Sequence, residues 1–222
     1  MTAFETAEFR AAFTELLAWR RDVRRFRTDP LPDGLLQGLV QAAALAPSVG
    51  LSQPWRFVRV KGEPARAAVR ANFARCNADA LAGYQGDDAR LYAELKLAGL
   101  DDAPEQLAVF CDRSTAVGRG LGRRTMPETL DYSVVAAVHG FWLAARTYGV
   151  GVGWVSILDP EDAARDLAAR EGWKLIAYLC VGFPETSSDE PELQRVGWER
   201  RQAEVAMVED RKSTRLNSSH SS

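Results

Sequence analysis

The chain has 222 residues, 46% of them apolar and 26% charged, with a formal net charge of −2. That length supports one sizeable domain with its own core, and the near-neutral balance gives no pull toward nucleic acid or an anionic membrane. Three widely spaced cysteines with no CxxC pair, and two distant histidines, argue against a disulfide framework or a zinc site and for reduced thiols in the cytoplasm.

Residues 6–19 carry Phe9, Phe13, Leu16 and Leu17 at helical spacing. A second helix is expected over 35–46, started by Pro32 and Asp33 and stopped by Pro47. Residues 55–60 form a short strand, 64–82 and 87–97 two helices, and 106–112 a second strand. The stretch 113–127 is rich in Gly, Arg, Ser and Thr without periodicity, which predicts a long loop or lid. Residues 128–148 give the strongest helix, apolar on nearly every face, so it is buried in a core or between subunits. A glycine-spaced stretch at 149–156, a helix at about 160–170 and an apolar strand at 175–181 complete an α+β pattern without βαβ rhythm. No apolar run approaches the ~18–20 residues of a membrane span. The acidic N-terminus lacks a signal-peptide pattern, and a cytoplasmic protein is expected. A single domain is expected over 1–210. Residues 211–222 form a polar, serine-rich tail, read as non-native.

Three segments can carry chemistry. Residues 20–27 contain five arginines, Arg20, Arg21, Arg24, Arg25 and Arg27. These suit either a phosphate clamp of paired, charge-assisted hydrogen bonds or a solvated basic turn. The stretch 46–55, APSVGLSQPW, follows a tight non-helical path set by two prolines and a glycine. It is either a plain connection or a source of free backbone groups for a planar polar ligand. In GVGVGWVS at 149–156 the helix precedes the glycines, whereas a dinucleotide loop needs strand, turn and then helix. The alternate glycines instead permit close approach to a flat ligand or another strand. His139, alone on the apolar helix, reads as a core residue, and the aromatics of 141–154 as core.

The order of RRDVRRF, APSVGLSQPWRF and GVGVGWVSIL resembles the FMN-dependent nitroreductase superfamily. The run GRRTMPETLDYSVVAAVHGFWLAARTYGVGVGWVSILDP, with LCVGFPE and GWERR after it, resembles its 5,6-dimethylbenzimidazole synthase branch, the BluB family, over roughly residues 8–205. The resemblance implies a homodimer with a mostly antiparallel sheet wrapped by helices, FMN at the subunit interface and a C-terminal arm reaching the partner. It implies that Arg20, Arg21, Asp22, Val23 and Arg24 form the phosphate and ribityl stretch, joined by Arg195. Ser48, Val49, Gly50 and Gln53 would line the isoalloxazine from the other subunit, Lys96 its pyrimidine edge, and Gly153 to Ser156 the region near N5.

Asp22 stands where ordinary nitroreductases carry a small hydroxyl residue, and Leu51 where they often carry an amide. The implied reaction converts FMNH2 and O2 to 5,6-dimethylbenzimidazole and erythrose 4-phosphate, without a metal. FMNH2 is then a substrate, supplied by a separate flavin reductase, with Asp22 as general base and Ser156 as a hydrogen-bonding catalytic residue. The alternative is an NAD(P)H-dependent nitro- or flavin reductase on the same fold.

Overall fold

A computed structural model describes residues 2–96, 99–202 and 207. The chain divides into two compact units, Met1–Pro191 and Glu192–Ser222. The tail at 211–222 lies outside the described residues.

The first unit is built on strands β1 (Trp55–Arg59), β2 (Glu105–Asp112), β3 (Gly151–Val155) and β4 (Trp173–Gly182). They form one antiparallel sheet in the order β1-β2-β4-β3. Alternation along β2 sends Leu107, Val109 and Cys111 to one face and Ala108 and Phe110 to the other. The first face is covered by α2 (Leu35–Ala43) and α5 (Thr129–Thr147) through Leu39, Val134 and Phe141. The second is covered by α3 (Glu63–Ala82) and α6 (Pro160–Asp166) through Val69 and Ala163. In β4 the register passes from Val109↔Ala177 to Phe110↔Leu175. Ile176 is therefore an extra residue, and the bulge puts Ile176 and Ala177 against the same face. This is the expected α+β architecture.

Helix α1 (Ala7–Trp19) starts at Thr6, whose hydroxyl accepts from the Phe9 N–H. Its predicted apolar face buries nothing: Phe9, Phe13 and Leu17 are exposed. Helix α2 ends at Ala43, three residues before the expected boundary, and its last turn unwinds through 44–46, because a residue before proline is pushed out of the α region. Helix α4 (Gly86–Glu94) likewise stops short of 97, with Leu95 extended, and α6 stops short of 170, with Ala168 at φ +51°.

Helix α5 is not covered on all sides. Tyr132, Val135 and His139 share an exposed stripe, so His139 is a surface residue and not the core histidine its apolar neighbours implied. The glycine-spaced stretch holds a true strand. A Cβ on Gly153 would stand 2.1 Å from the Val23 carbonyl oxygen, and one on Gly151 would stand 2.7 Å from a Val23 methyl. The close approach these glycines permit is thus to the chain's own segment around Val23. Among the described residues no helix is long and apolar enough to cross a membrane.

Candidate active site

The arginine-rich segment leaves α1 in extended conformation and docks on β3. Asp22 and Val152 form an isolated parallel bridge, and the Val23 N–H donates to the Val152 carbonyl at 3.1 Å. The Asp22 carboxylate takes the Trp154 N–H on Oδ1 at 3.0 Å and the Arg24 Nε–H on Oδ2 at 3.1 Å. Its side chain keeps 35% of its surface exposed. Burial raises the carboxyl above its ordinary pKa, and the opposing pull of the Trp154 N–H, Arg24 and Arg20 does not cancel it. Arg24 is nearly buried, and its Nη1 has no hydrogen-bond partner. A buried guanidinium donor left unsatisfied is costly, and an anion's oxygen would satisfy it. These residues fit a phosphate-bearing ligand.

The two leading arginines diverge. Arg20 lies over the Trp142 ring, 4.8 Å from its centroid. Arg21 is turned to the 187–189 segment, where its Nε–H donates to the Asp189 carbonyl at 2.7 Å. Ser156 follows β3 directly and is exposed. Two residues of strand put it about 7 Å from the Trp154 N–H that holds Asp22. The loop after it is pinned by Asn72 of α3, which receives the Asp159 N–H at 2.9 Å and donates to the Asp159 carbonyl at 3.0 Å.

The second candidate segment, 48–53, packs near the other end of α5. Ser133 Oγ accepts from the Val49 N–H at 3.0 Å and donates to the Thr129 carbonyl at 2.7 Å. Ser48 Oγ accepts from the Gln53 N–H at 3.1 Å. Gly50, Leu51 and Gln53 have φ of +57°, +54° and +43°, a strained path for the two non-glycines. A Cβ on Gly50 would meet the Gly118 and Leu121 carbonyls at 3.0 Å, so this loop lies directly on the 113–127 stretch. That stretch is a run of turns, not a helix. Between the two loops opens a mostly apolar cleft of ≈ 780 Å³, with Leu51, Val117 and Leu121 on its walls and Arg119 and Arg124 among its lining.

Residues 17–183 match the Nitroreductase family. The chain belongs to the nitroreductase family. Within it, the chain is 52% identical over 193 residues to a 5,6-dimethylbenzimidazole synthase of Rhodospirillum rubrum, covering 87% of this chain and 92% of that protein. It is 49% identical over 190 residues to one of Rhodobacter capsulatus, covering 86% and 92%. Among solved structures, iodotyrosine deiodinase bound to FMN and 3-iodo-L-tyrosine superposes with a TM-score of 0.70 at 24% identity, covering 89% of this chain and 99% of that one. A BluB-like flavoprotein from Clostridium difficile superposes at 0.60 and 20% identity, covering 83% and 96%.

Two further residues expected in the site of this nitroreductase-family chain have their own settings. Lys96 is exposed and its Nζ pairs with Asp102 at 2.5 Å. Arg195 closes the short helix α7 (Glu192–Arg195) of the second unit. Trp142, read from sequence as core, packs half-buried against the core and also lies beneath Arg20, and Asn72, which carries no motif, anchors the loop after Ser156. Their signal lies in contacts between residues far apart in sequence, which spacing does not reveal.

Proposed function

We propose that this protein converts FMNH2 and O2 to 5,6-dimethylbenzimidazole and erythrose 4-phosphate, with FMNH2 consumed as a substrate. The observation that carries it is a carboxylate, Asp22, held inside an arginine segment at the edge of β3, in a chain half identical to two 5,6-dimethylbenzimidazole synthases over most of its length. Reduced FMN supplies the electrons for O2 and the carbon skeleton of the product.

Arg20 and Arg24 grip the phosphate, and the unsatisfied Arg24 Nη1 is the donor most in need of it. Val23 contributes the main-chain bond that fixes the segment on β3. Arg21, tied to Asp189, acts by anchoring the segment. Asp22 is the general base at the first ribityl carbon. A pKa raised by burial makes it a stronger base than an ordinary carboxylate. Ser156 hydrogen-bonds at the reacting edge of the ring, a contact of the kind worth about 10²-fold in rate. Gly153 serves by admitting the Val23 main chain.

The ring-lining residues Ser48, Val49, Gly50 and Gln53 come from a second copy of the chain. The homodimer is supported by the apolar surface left open on α1, on the α5 stripe and around Leu51, Val117 and Leu121. On α5, Ser133 and Trp142 mark the two half-sites, nine residues and hence about 13 Å apart along the axis. The 113–127 stretch excludes water from the cleft during reaction, and Lys96 approaches the pyrimidine edge. A separate flavin reductase delivers FMNH2 in the cytoplasm.

The test is anaerobic loading with FMNH2, exposure to air and chromatography for the benzimidazole. Asp22→Asn and Ser156→Gly should bind flavin and form no product; either variant working at the parent rate removes that residue's role. Rapid NAD(P)H oxidation with FMN returned intact would instead identify a flavin reductase.

A further inference from the structure

One side chain contacts the arginine segment twice. Trp142, in the C-terminal half of α5, donates its indole N–H to the Arg21 carbonyl at 3.2 Å, and its ring face lies 4.8 Å from the Arg20 guanidinium. The same ring is 6.5 Å from that of Trp154, tilted by 48°, and the Trp154 N–H is the donor that holds Asp22. A single indole therefore meets the main chain of the segment, the side chain of its first arginine, and the strand residue that orients its carboxylate.

The geometry points to Trp142 as a positioning residue for the phosphate grip, laying out Arg20 on its ring face and setting the register of the Arg21 main chain, so that a flavin bearing a phosphate monoester is favoured over one without it. This rests on Arg20 being a phosphate ligand. An arginine on a free stem loses rotamer freedom when it orders on an anion. One already laid on an indole has lost much of that freedom before the ligand arrives, and the ring's negative face holds the cation without neutralising its charge. The neighbouring arginine is kept apart by a separate anchor. Arg146, one turn along α5, lies 3.6 Å over Trp19 and donates to Ser187 at 2.7 Å, beside the Asp189 carbonyl that receives Arg21. The adjacent pair is thereby split, Arg20 to the Trp142 face and Arg21 to the 187–189 segment.

Equilibrium binding of oxidised FMN and of riboflavin, followed by flavin fluorescence, tests this on the full chain and on Arg20→Ala, Trp142→Phe and Trp142→Leu. The ratio of the two affinities isolates the phosphate. Arg20→Ala should remove most of the preference for FMN. Trp142→Leu should cut the ratio by about tenfold, FMN losing far more affinity than riboflavin. Trp142→Phe, which keeps a ring face and loses the N–H, should fall between parent and leucine. Thermal melts establish that each variant is folded; if the leucine variant is not, the phenylalanine ratio decides. Equal loss of both ligands, or an unchanged ratio in the Trp142 variants while Arg20→Ala abolishes it, overturns the positioning role and leaves the phosphate grip standing. An unchanged ratio in Arg20→Ala overturns the grip, and the role of Trp142 with it.

Discussion

Gly153→Ala should unseat the segment that carries Asp22. The added methyl would stand 2.1 Å from the Val23 carbonyl oxygen and 3.3 Å from its carbon. Main chain cannot rotate aside as a side chain can, so the segment must retreat by roughly 1 Å or more to regain ordinary contact. A retreat of that size breaks the Val23 N–H to Val152 bond of 3.1 Å and the Trp154 N–H to Asp22 bond of 3.0 Å. The first is worth about 1 kcal/mol and the second, to a carboxylate, about 1.5–3 kcal/mol. The sum, about 3 kcal/mol, lowers the melting temperature of a domain this size by about 6–12 °C. Gly38→Ala is the matched control: it lies within α2 with no atom within 4 Å of the new Cβ, and should gain about 0.5–1 kcal/mol. Differential scanning calorimetry of the two variants, with FMN titrations of the first, reads both effects. If Gly153→Ala melted within a degree of the parent and bound FMN equally well, the close docking of the segment on β3 would be wrong.

Three further outcomes follow from other contacts. Asp131, in the first turn of α5, accepts from Arg113 Nε at 3.1 Å and Lys174 Nζ at 2.8 Å; burial raises its pKa, but these bonds, the Cys111 thiol and the Arg113 charge outweigh it and hold the carboxyl below its ordinary value. Its stabilisation is therefore complete above about pH 4 and lost as pH falls through the folded value. Asp131→Asn should cost about 1–2 kcal/mol at neutral pH, a deficit that shrinks in melts taken at lower pH. Asp22 has the opposite sign: its raised pKa means stability present below the unfolded value and lost as pH rises through the folded one. Asp22→Asn should then melt above the parent at pH 7, with the difference vanishing in acid. Asn72→Ala removes both bonds to Asp159 from a buried site and should lower the urea midpoint by the equivalent of about 2–3 kcal/mol.

The regular part of the fold was legible where one period dominated. The helices at 6–19 and 64–82 were placed within a residue of α1 and α3 because their apolar spacing or alanine content runs without interruption. Strand β3 was not recognised as a strand, since glycine gives no strand signal, although the close approach inferred from its glycines is there, made by Val23. The apolar composition of α5 predicts burial on every face and so a core His139, but helical geometry leaves a stripe that only packing decides, and His139 lies on it. The arginine cluster was visible, but not how it divides. Whether Arg21 faces a ligand or Asp189 depends on the segment being extended, and that conformation is imposed by β3, about 130 residues further along the chain. Trp142 was hidden for the same reason.

The edge of β3 explains why a carboxylate suits position 22. Residues 151, 153 and 155 alternate with 152 and 154, and the outer edge of the strand presents the Val152 carbonyl and the Trp154 N–H. An unpaired edge donor invites another strand. Here Val23 takes the carbonyl and the Asp22 side chain takes the N–H, so the bridge ends after one residue and an acid group is fixed to the main chain. A carboxylate has about four acceptor positions. One oxygen serves Trp154 and the other Arg24, and with 35% of the side chain exposed lone pairs remain directed away from both donors. A serine or threonine hydroxyl at the same place would satisfy the Trp154 N–H but would be a poor proton acceptor at neutral pH. The docking of this segment thus leaves a carboxylate whose orientation is set by the backbone of β3 and by Arg24.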